Sequence, residues 1–287
     1  MIHRYQKKGL NFVLDVNSGA VHLLDDISYA VSGLIDENMT EKCPESVVEA
    51  LPQYAADDVR EAYGELYELK KAGQLFAEDD YIDVSRYIPV GAPVKALCLH
   101  VAHDCNLRCK YCFASTGDFG QGRKIMPPEV AKKAIDFVIA RSGKRRNIEV
   151  DFFGGEPLMA WDTVTQTVDY ARSIEEQHGK KFRFTITTNG LLLDEDKRRY
   201  INENMDNCVL SLDGRREVND EFRKTVAGTG SYDTIVPKFK ALVDERDPNL
   251  DYYARGTFTS HNLDFANDVL SIADAGFDRL SVEPVTA

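Results

Sequence analysis

From residue 94 onward, apolar runs near 95–101, 148–153, 182–188, 207–212, 251–258 and 279–284 alternate with helical patterns near 127–142, 161–177, 194–204, 232–245 and 264–275. Short buried-strand patterns spaced by helix-length amphipathic stretches are the mark of βα units and a parallel sheet. Six strands with five intervening helices predict an α/β fold, a sheet curled into a partial (βα)6 barrel whose loops at the strand C-termini carry function. The helix at 127 opens on Pro127-Pro128 and stops at Gly143, the expected placement of first-turn proline and C-terminal glycine. The chain ends at Ala287, just after the sixth strand, with no helix to cover it. The expectation is therefore a fragment of a longer protein, or a partner covering that edge.

Upstream the pattern differs. Phe12–Val16 and Ala20–Leu24 flank Asn17-Ser18-Gly19 and predict a hairpin, followed by helices near 26–37, 44–53 and 57–72 and a short strand at Leu75-Phe76-Ala77. In the last helix Val59, Tyr63, Leu66 and Leu69 form an apolar stripe, and Gly73 supplies the stop. Glu78-Asp79-Asp80 and Ser85–Pro93 have the composition of a linker, which places a domain boundary near residue 90.

Composition narrows the function. Lys and Arg number 35 against 47 Asp and Glu, a net charge of -12, with no basic stripe to track phosphates, so nucleic acid is a poor partner. No segment approaches the length of a membrane span and no signal sequence precedes the first charges, which points to the cytoplasm. Six cysteines in such a chain are too few and too unevenly spaced for a disulfide scaffold. Cys43, Cys98 and Cys208 stand alone and are expected as small core residues.

The other three, Cys105, Cys109 and Cys112, form a C-x3-C-x2-C run on the loop after the first βα strand, with Tyr111 in the second gap. Three thiolates on one loop can hold three irons of a cubane and leave the fourth open. The alternative is a structural zinc site completed by His100 or His103. Gly154-Gly155-Glu156-Pro157 closes the second strand, where glycines permit close backbone approach and a carboxylate can accept from an ammonium group. Thr187-Thr188-Asn189-Gly190 and Ser211-Leu212-Asp213-Gly214 close the third and fourth strands and deliver polar groups to the same rim.

Cys105-x3-Cys109-x2-Cys112 with Tyr111, followed one strand later by Gly154-Gly155-Glu156-Pro157, resembles the radical S-adenosylmethionine enzymes. The resemblance implies a [4Fe-4S] cluster on the three cysteines, with the methionyl amine and carboxylate of S-adenosylmethionine on the open iron. It implies that one-electron reduction cleaves the sulfonium to methionine and a 5′-deoxyadenosyl radical. It puts Tyr111 near the adenine and the amine at Gly154, Gly155 and Glu156. The loops with Thr188, Asn189, Ser211 and Asp213 would hold the ribose hydroxyls and the carboxylate, with Ser211 and Arg223 on the carboxylate, since a guanidinium matches it bidentately. Arg215 and Arg216 compete with Arg223, and Asp213 could instead cap the next segment. Val282-Glu283-Pro284-Val285 resembles the family's apolar shelf beside adenine, against a reading as core packing.

The first 90 residues are similar to small winged-helix-like modules that bind leader peptides by strand addition. The stretch Gly9–His22 resembles the start of the maturases that form thioether crosslinks in six-cysteine (SCIFF) peptides, and that likeness runs along the whole chain. It implies a cysteine-rich precursor peptide as partner and a reductant such as flavodoxin or ferredoxin. Those maturases continue into a C-terminal auxiliary-cluster (SPASM) domain, whereas no cysteine follows Cys208. The alternatives are a sulfatase-type maturase and a non-catalytic leader-binding protein.

Overall fold

Residues 2–24 form a three-stranded antiparallel meander, β1 (Ile2–Lys7), β2 (Leu10–Asp15) and β3 (Val21–Leu24), in the computed structural model, which describes residues 1–79 and 91–285. Lys8 and Gly9 close the first hairpin at φ 53° and 76°, a pair of left-handed residues whose twist suits the flanking strands. β1 was not expected, because Arg4 stands where alternation calls for an apolar side chain. Its guanidinium lies over the Tyr29 ring at 4.3 Å and its Nε donates to Ser32 Oγ at 3.0 Å.

Three helices follow: α1 (Asp26–Val31), α2 (Glu45–Glu49) and α3 (Ala56–Lys71). Asp25 caps α1 by accepting from Ser28 N at 2.7 Å. α1 and α2 are shorter than their patterns suggested; α1 stops where the Ser32 hydroxyl bonds back to Tyr29 O. Val13, Val31, Val59, Tyr63, Leu66 and Leu75 are the heart of this unit's core. The strand expected at 75–77 does not form. Leu75 is buried in the core, Phe76 turns at φ 51°, and the segment is tied to the hairpin by side chains instead of a ladder. His22 Nε2 meets Gln74 O at 2.8 Å, Asn17 Nδ2 donates to Ala77 O at 2.8 Å, and Ala77 N donates to Asp15 Oδ2 at 3.2 Å. The linker expected at 78–93 lies mostly outside the described residues. The chain divides into two units, Met1–Ala92 and Pro93–Ala287.

In the second unit each of the six apolar runs is a strand: β4 (Ala96–His103), then, beyond β5 (Leu107–Cys109) and β6 (Lys124–Ile125), β7 (Asn147–Gly154), β8 (Lys181–Thr188) and β9 (Asn207–Ser211). Past β10 (Arg223–Thr225) come β11 (Asp251–Phe258) and β12 (Leu280–Pro284). The main sheet runs β12-β11-β9-β8-β7-β4-β6, parallel except for β6, which is antiparallel to β4. It is thus a mixed sheet in an α/β unit. The five expected helices are α4 (Pro128–Arg141), α5 (Trp161–Glu175), α6 (Glu195–Asn204), α8 (Tyr232–Asp244) and α9 (Ala266–Asp274). α7 (Arg216–Phe222) is additional, too short and polar to show a helical period.

Alternation decides what each face holds. Ile148, Val150 and Phe152 of β7 and Phe182, Phe184 and Ile186 of β8 are buried with residues from all five of these helices. The intervening residues, among them Asp151, Phe153, Thr185, Thr187, Asn207 and Ser211, are half-buried and mostly polar. Among the described residues no helix is long and apolar enough to cross a membrane.

Candidate functional site

The cysteine loop leaves the C-terminal end of β4 and is pinned by β5, whose antiparallel partner β10 sets Cys109 opposite Arg223 and Leu107 opposite Thr225. Leu107 is fully buried and anchors the loop. Cys105 Sγ accepts from Leu107 N at 3.4 Å and from Asn189 Nδ2 at 3.5 Å. Cys105, Cys109 and Cys112 line one cavity of about 140 Å³ together with Gly154, Gly155 and Glu156. Burial pushes the Cys105 thiol up to about 12 and raises Cys109 as well, where the nearby Arg223 opposes it. Thiols held so far from ionisation become ligands when a metal centre displaces their protons. Among the described residues no three His, Cys, Asp or Glu side chains converge as the ligands of a single ion would. Nor do His100 and His103 complete a zinc set. Both rings pack on Phe119, at 4.9 and 4.8 Å.

Gly154 and Gly155 are required by the chain itself. Gly154 sits at φ 128°, and a Cβ there would overlap the Ala102 carbonyl, while one at Gly155 would overlap that of Asp104. Gly155 N donates to Ala102 O at 2.7 Å and Glu156 N to Asp104 O at 2.9 Å, so this turn is zipped onto the start of the cysteine loop. The close approach expected toward a ligand is first an approach between two site-forming loops. Glu156 is 1% exposed. Its Oε1 accepts from Leu158 N at 3.0 Å and Thr188 Oγ1 at 2.8 Å, and its Oε2 from Asn189 N at 2.8 Å. Burial raises this carboxyl, and those three bonds oppose the shift by favouring the ionised form. Thr188 and Asn189 line the same cavity, but their side chains are committed within the protein, Thr188 to Glu156 and Asn189 to Cys105 and to Asn106 Oδ1 at 2.7 Å.

Ser211 and Arg223 line this cavity and a second one of about 350 Å³, which adds Arg255, Thr257, Glu283, Pro284 and Val285. Val282 is not in that lining and packs on the core, while Glu283, Pro284 and Val285 after it line the cavity. The three arginines differ in position. Arg215 bonds Asp268 and Asp264, and Arg216 pairs with Asp233, whereas Arg223 is 8% exposed beside the cysteines. Its Nη1 donates to Tyr111 Oη at 2.8 Å, and its buried Nε has no partner. Asp213 lines neither cavity and caps nothing; its Oδ2 accepts from Tyr111 Oη at 2.6 Å and its Oδ1 from Thr257 N at 3.1 Å. Tyr111 lines both cavities, with its hydroxyl held between Arg223 and Asp213.

Phe113, Gly117 and Phe153 also line the first cavity and were not singled out from sequence; Thr187, from the string that closes the third strand, lines it too. Phe113 and Phe153 directly follow Cys112 and precede Gly154, a flanking signal that was available. Gly117, at φ 102°, lies where a Cβ would overlap that of Cys105. Arg255 and Thr257 carry no local mark; strand register brings them to the rim, Arg255 opposite Ser211 and Thr257 opposite Glu283. Of the lone cysteines, Cys208 is buried as expected and Cys43 is half-buried, but Cys98 is exposed on the polar side of β4, opposite Asp151.

Three thiols and a buried, unsatisfied guanidinium on one cavity form a donor set that suits an iron–sulfur cluster beside an anionic group. A model of the Radical SAM superfamily matches residues 99–252, more than half of the chain. The radical SAM cyclopropyl synthase TigE of Paramaledivibacter caminithermalis is 29% identical over 199 residues, 65% of this chain and 40% of that protein. A cysteine-type anaerobic sulfatase-maturating enzyme of Clostridium novyi is 29% identical over 143 residues, covering 48% and 37%. The solved structure of native anSMEcpe with bound AdoMet and Cp18Cys peptide aligns with a TM-score of 0.59 at 22% identity, over 68% of this chain and 52% of that one. The matches thus span about half or less of these relatives' own length. The chain belongs to the radical SAM superfamily, enzymes that use a [4Fe-4S] cluster and S-adenosylmethionine.

Proposed function

We propose that this chain is a peptide maturase that forms thioether crosslinks in a cysteine-rich ribosomal peptide. Residues 1–90 act as a winged-helix-like leader-binding domain and 91–287 as a partial barrel; the protein works in the cytoplasm with a flavodoxin- or ferredoxin-type reductant. The observation that carries the chemistry is the one cavity shared by Cys105, Cys109, Cys112 and Gly154–Glu156. When bound, the cluster and S-adenosylmethionine supply a 5′-deoxyadenosyl radical by one-electron cleavage of the sulfonium. In this reading the three cysteines hold three irons, the Gly154-Gly155-Glu156 turn receives the methionyl amine, and Ser211 and Arg223 receive the carboxylate. Glu156 accepts from three donors and holds the β7 and β8 ends together. Phe113 and Phe153 wall the cavity with apolar surface.

Support for a peptide comes from the first unit. Among the described residues β3 has no strand on its outer side, and Val21 and Leu23 beside that edge are 57% and 61% exposed. An extended peptide can add a strand there, taking affinity from main-chain bonds and selectivity from side-chain contacts. The peptide in the anSMEcpe structure supports the same substrate class. The likeness to sulfatase-maturating enzymes favours a second reading, a sulfatase-type maturase.

Product analysis separates the two. The iron-loaded chain, given dithionite, S-adenosylmethionine and a cysteine-rich precursor peptide, should release 5′-deoxyadenosine and yield a peptide two hydrogens lighter that keeps all its sulfur. Loss of sulfur from a cysteine, or a peptide two hydrogens lighter with every thiol still free, would support the sulfatase-type reading, whereas a thioether consumes one thiol per crosslink; no 5′-deoxyadenosine from iron-loaded protein would contradict both.

A further inference from the structure

Tyr111, Asp213 and Arg223 come from three separate places in the chain, the cysteine loop, the turn after β9 and the start of β10, and meet at the cavity wall, with Asp213 behind it. Tyr111 Oη accepts from Arg223 Nη1 at 2.8 Å and donates to Asp213 Oδ2 at 2.6 Å. Asp213 Oδ1 lies 3.8 Å from Nη1, beyond hydrogen-bond reach, and is bonded to Thr257 N. The Asp213 side chain is wholly buried and that of Arg223 nearly so, at 0% and 9% exposed. Among the described residues only Nη1 of the guanidinium has an acceptor.

A carboxylate bonded directly to Arg223 would take up its fork bidentately. With the phenol interposed, the negative charge of Asp213 stays close enough to compensate the buried cation, and the remaining N–H groups stay free. A buried guanidinium N–H without an acceptor is costly, and a bound anion would relieve that cost.

We propose that Tyr111 and Asp213 are positioning residues for Arg223: the phenol relays to a buried carboxylate, fixing the guanidinium so that its free N–H groups meet the carboxylate of the bound cofactor. Tyr111 serves through its hydroxyl, and Asp213 never touches the cofactor. The inference rests on the S-adenosylmethionine reading of the cavity.

The test compares two ligands on the anaerobically reconstituted full chain: S-adenosylmethionine, and its decarboxylated analogue, which keeps the sulfonium, amine and adenosine. Tyr111→Phe should weaken S-adenosylmethionine by about tenfold, the worth of one charge-assisted hydrogen bond, and leave the analogue within about twofold. Asp213→Asn should weaken S-adenosylmethionine by about threefold, with the analogue again spared. Adding Tyr111→Phe to Arg223→Lys should cost little beyond Arg223→Lys alone, because both act through one contact. Iron content should stay at the wild-type level throughout. Equal weakening of both ligands by Tyr111→Phe, no weakening of either, or loss of iron would each overturn the positioning role. Wild-type protein that takes up iron and binds neither ligand would overturn the cofactor reading, and this inference with it.

Discussion

The two faces of the main sheet use the same strands to opposite ends. On β7, Ile148, Val150 and Phe152 are fully buried under the helices, while Glu149, Asp151 and Phe153 between them face the other way and are partly open. β8 repeats the division, with Phe182, Phe184 and Ile186 on one side and Thr185 and Thr187 on the other. One face is apolar and close-packed, so its substitutions should cost stability and spare chemistry. The other carries half-buried polar groups and ends in the cysteine cavity, so its substitutions should do the reverse.

The largest expected effect is on the polar side. Cys109→Ala removes one of three thiols and should abolish iron retention and S-adenosylmethionine cleavage, with the melting temperature of the metal-free chain unchanged, read by iron assay and thermal denaturation. Phe184→Ala is its converse. Phe184 is fully buried between Phe152 and Phe182, at 5.8 and 6.0 Å between ring centroids, and its loss should cost about 3–5 kcal/mol in denaturant titration while the folded fraction still takes up iron. A Phe184→Ala chain that folds normally but loses iron would break the division between faces.

Smaller effects sharpen it. Asn189→Ala removes one of two N–H donors to Cys105 Sγ, which stabilise the more negative, reduced cluster. Its reduction potential should fall by an amount on the order of tens of millivolts, measured by redox titration, with little change in stability. The smallest effect belongs to Asp151, whose Oδ1 is buried and unpartnered. Burial lifts its carboxyl from 3.8 to about 6, with Arg255 opposing. The folded chain then binds this proton more tightly than the unfolded one, so the destabilisation is absent at pH below 3.8 and complete above about 6. Discounted for a side chain still partly open to solvent, it amounts to about 1 kcal/mol. Asp151→Asn should remove that part of the pH dependence of stability across this range.

What could be foreseen from sequence follows from how local each signal is. The cysteine loop and the Gly154–Pro157 turn are contiguous strings, and the six strands announce themselves through apolar runs; all were legible. β1 was not, because Arg4 replaces an inward apolar residue with a cation over Tyr29. The apolar signal at Leu75-Phe76 was real but came from a buried loop residue and not a strand. Asp213 and Tyr111 could not be assigned locally, since their bond joins positions 102 residues apart. Cys98 defeated a composition rule: as a lone cysteine it suited the core, but strand register turns it to the polar face.

On the proposed reading, the polar rim of this sheet seats an iron–sulfur cluster that binds S-adenosylmethionine at an open iron. The most direct measurement is the electron paramagnetic resonance spectrum of the anaerobically reconstituted, dithionite-reduced chain, recorded with and without S-adenosylmethionine alongside an iron count. About four irons per chain are expected, with a cluster signal whose g-values shift on adding S-adenosylmethionine and which is absent when Cys105, Cys109 and Cys112 are all changed to Ala. A signal indifferent to S-adenosylmethionine, or iron retained in full by the triple variant, would contradict the account.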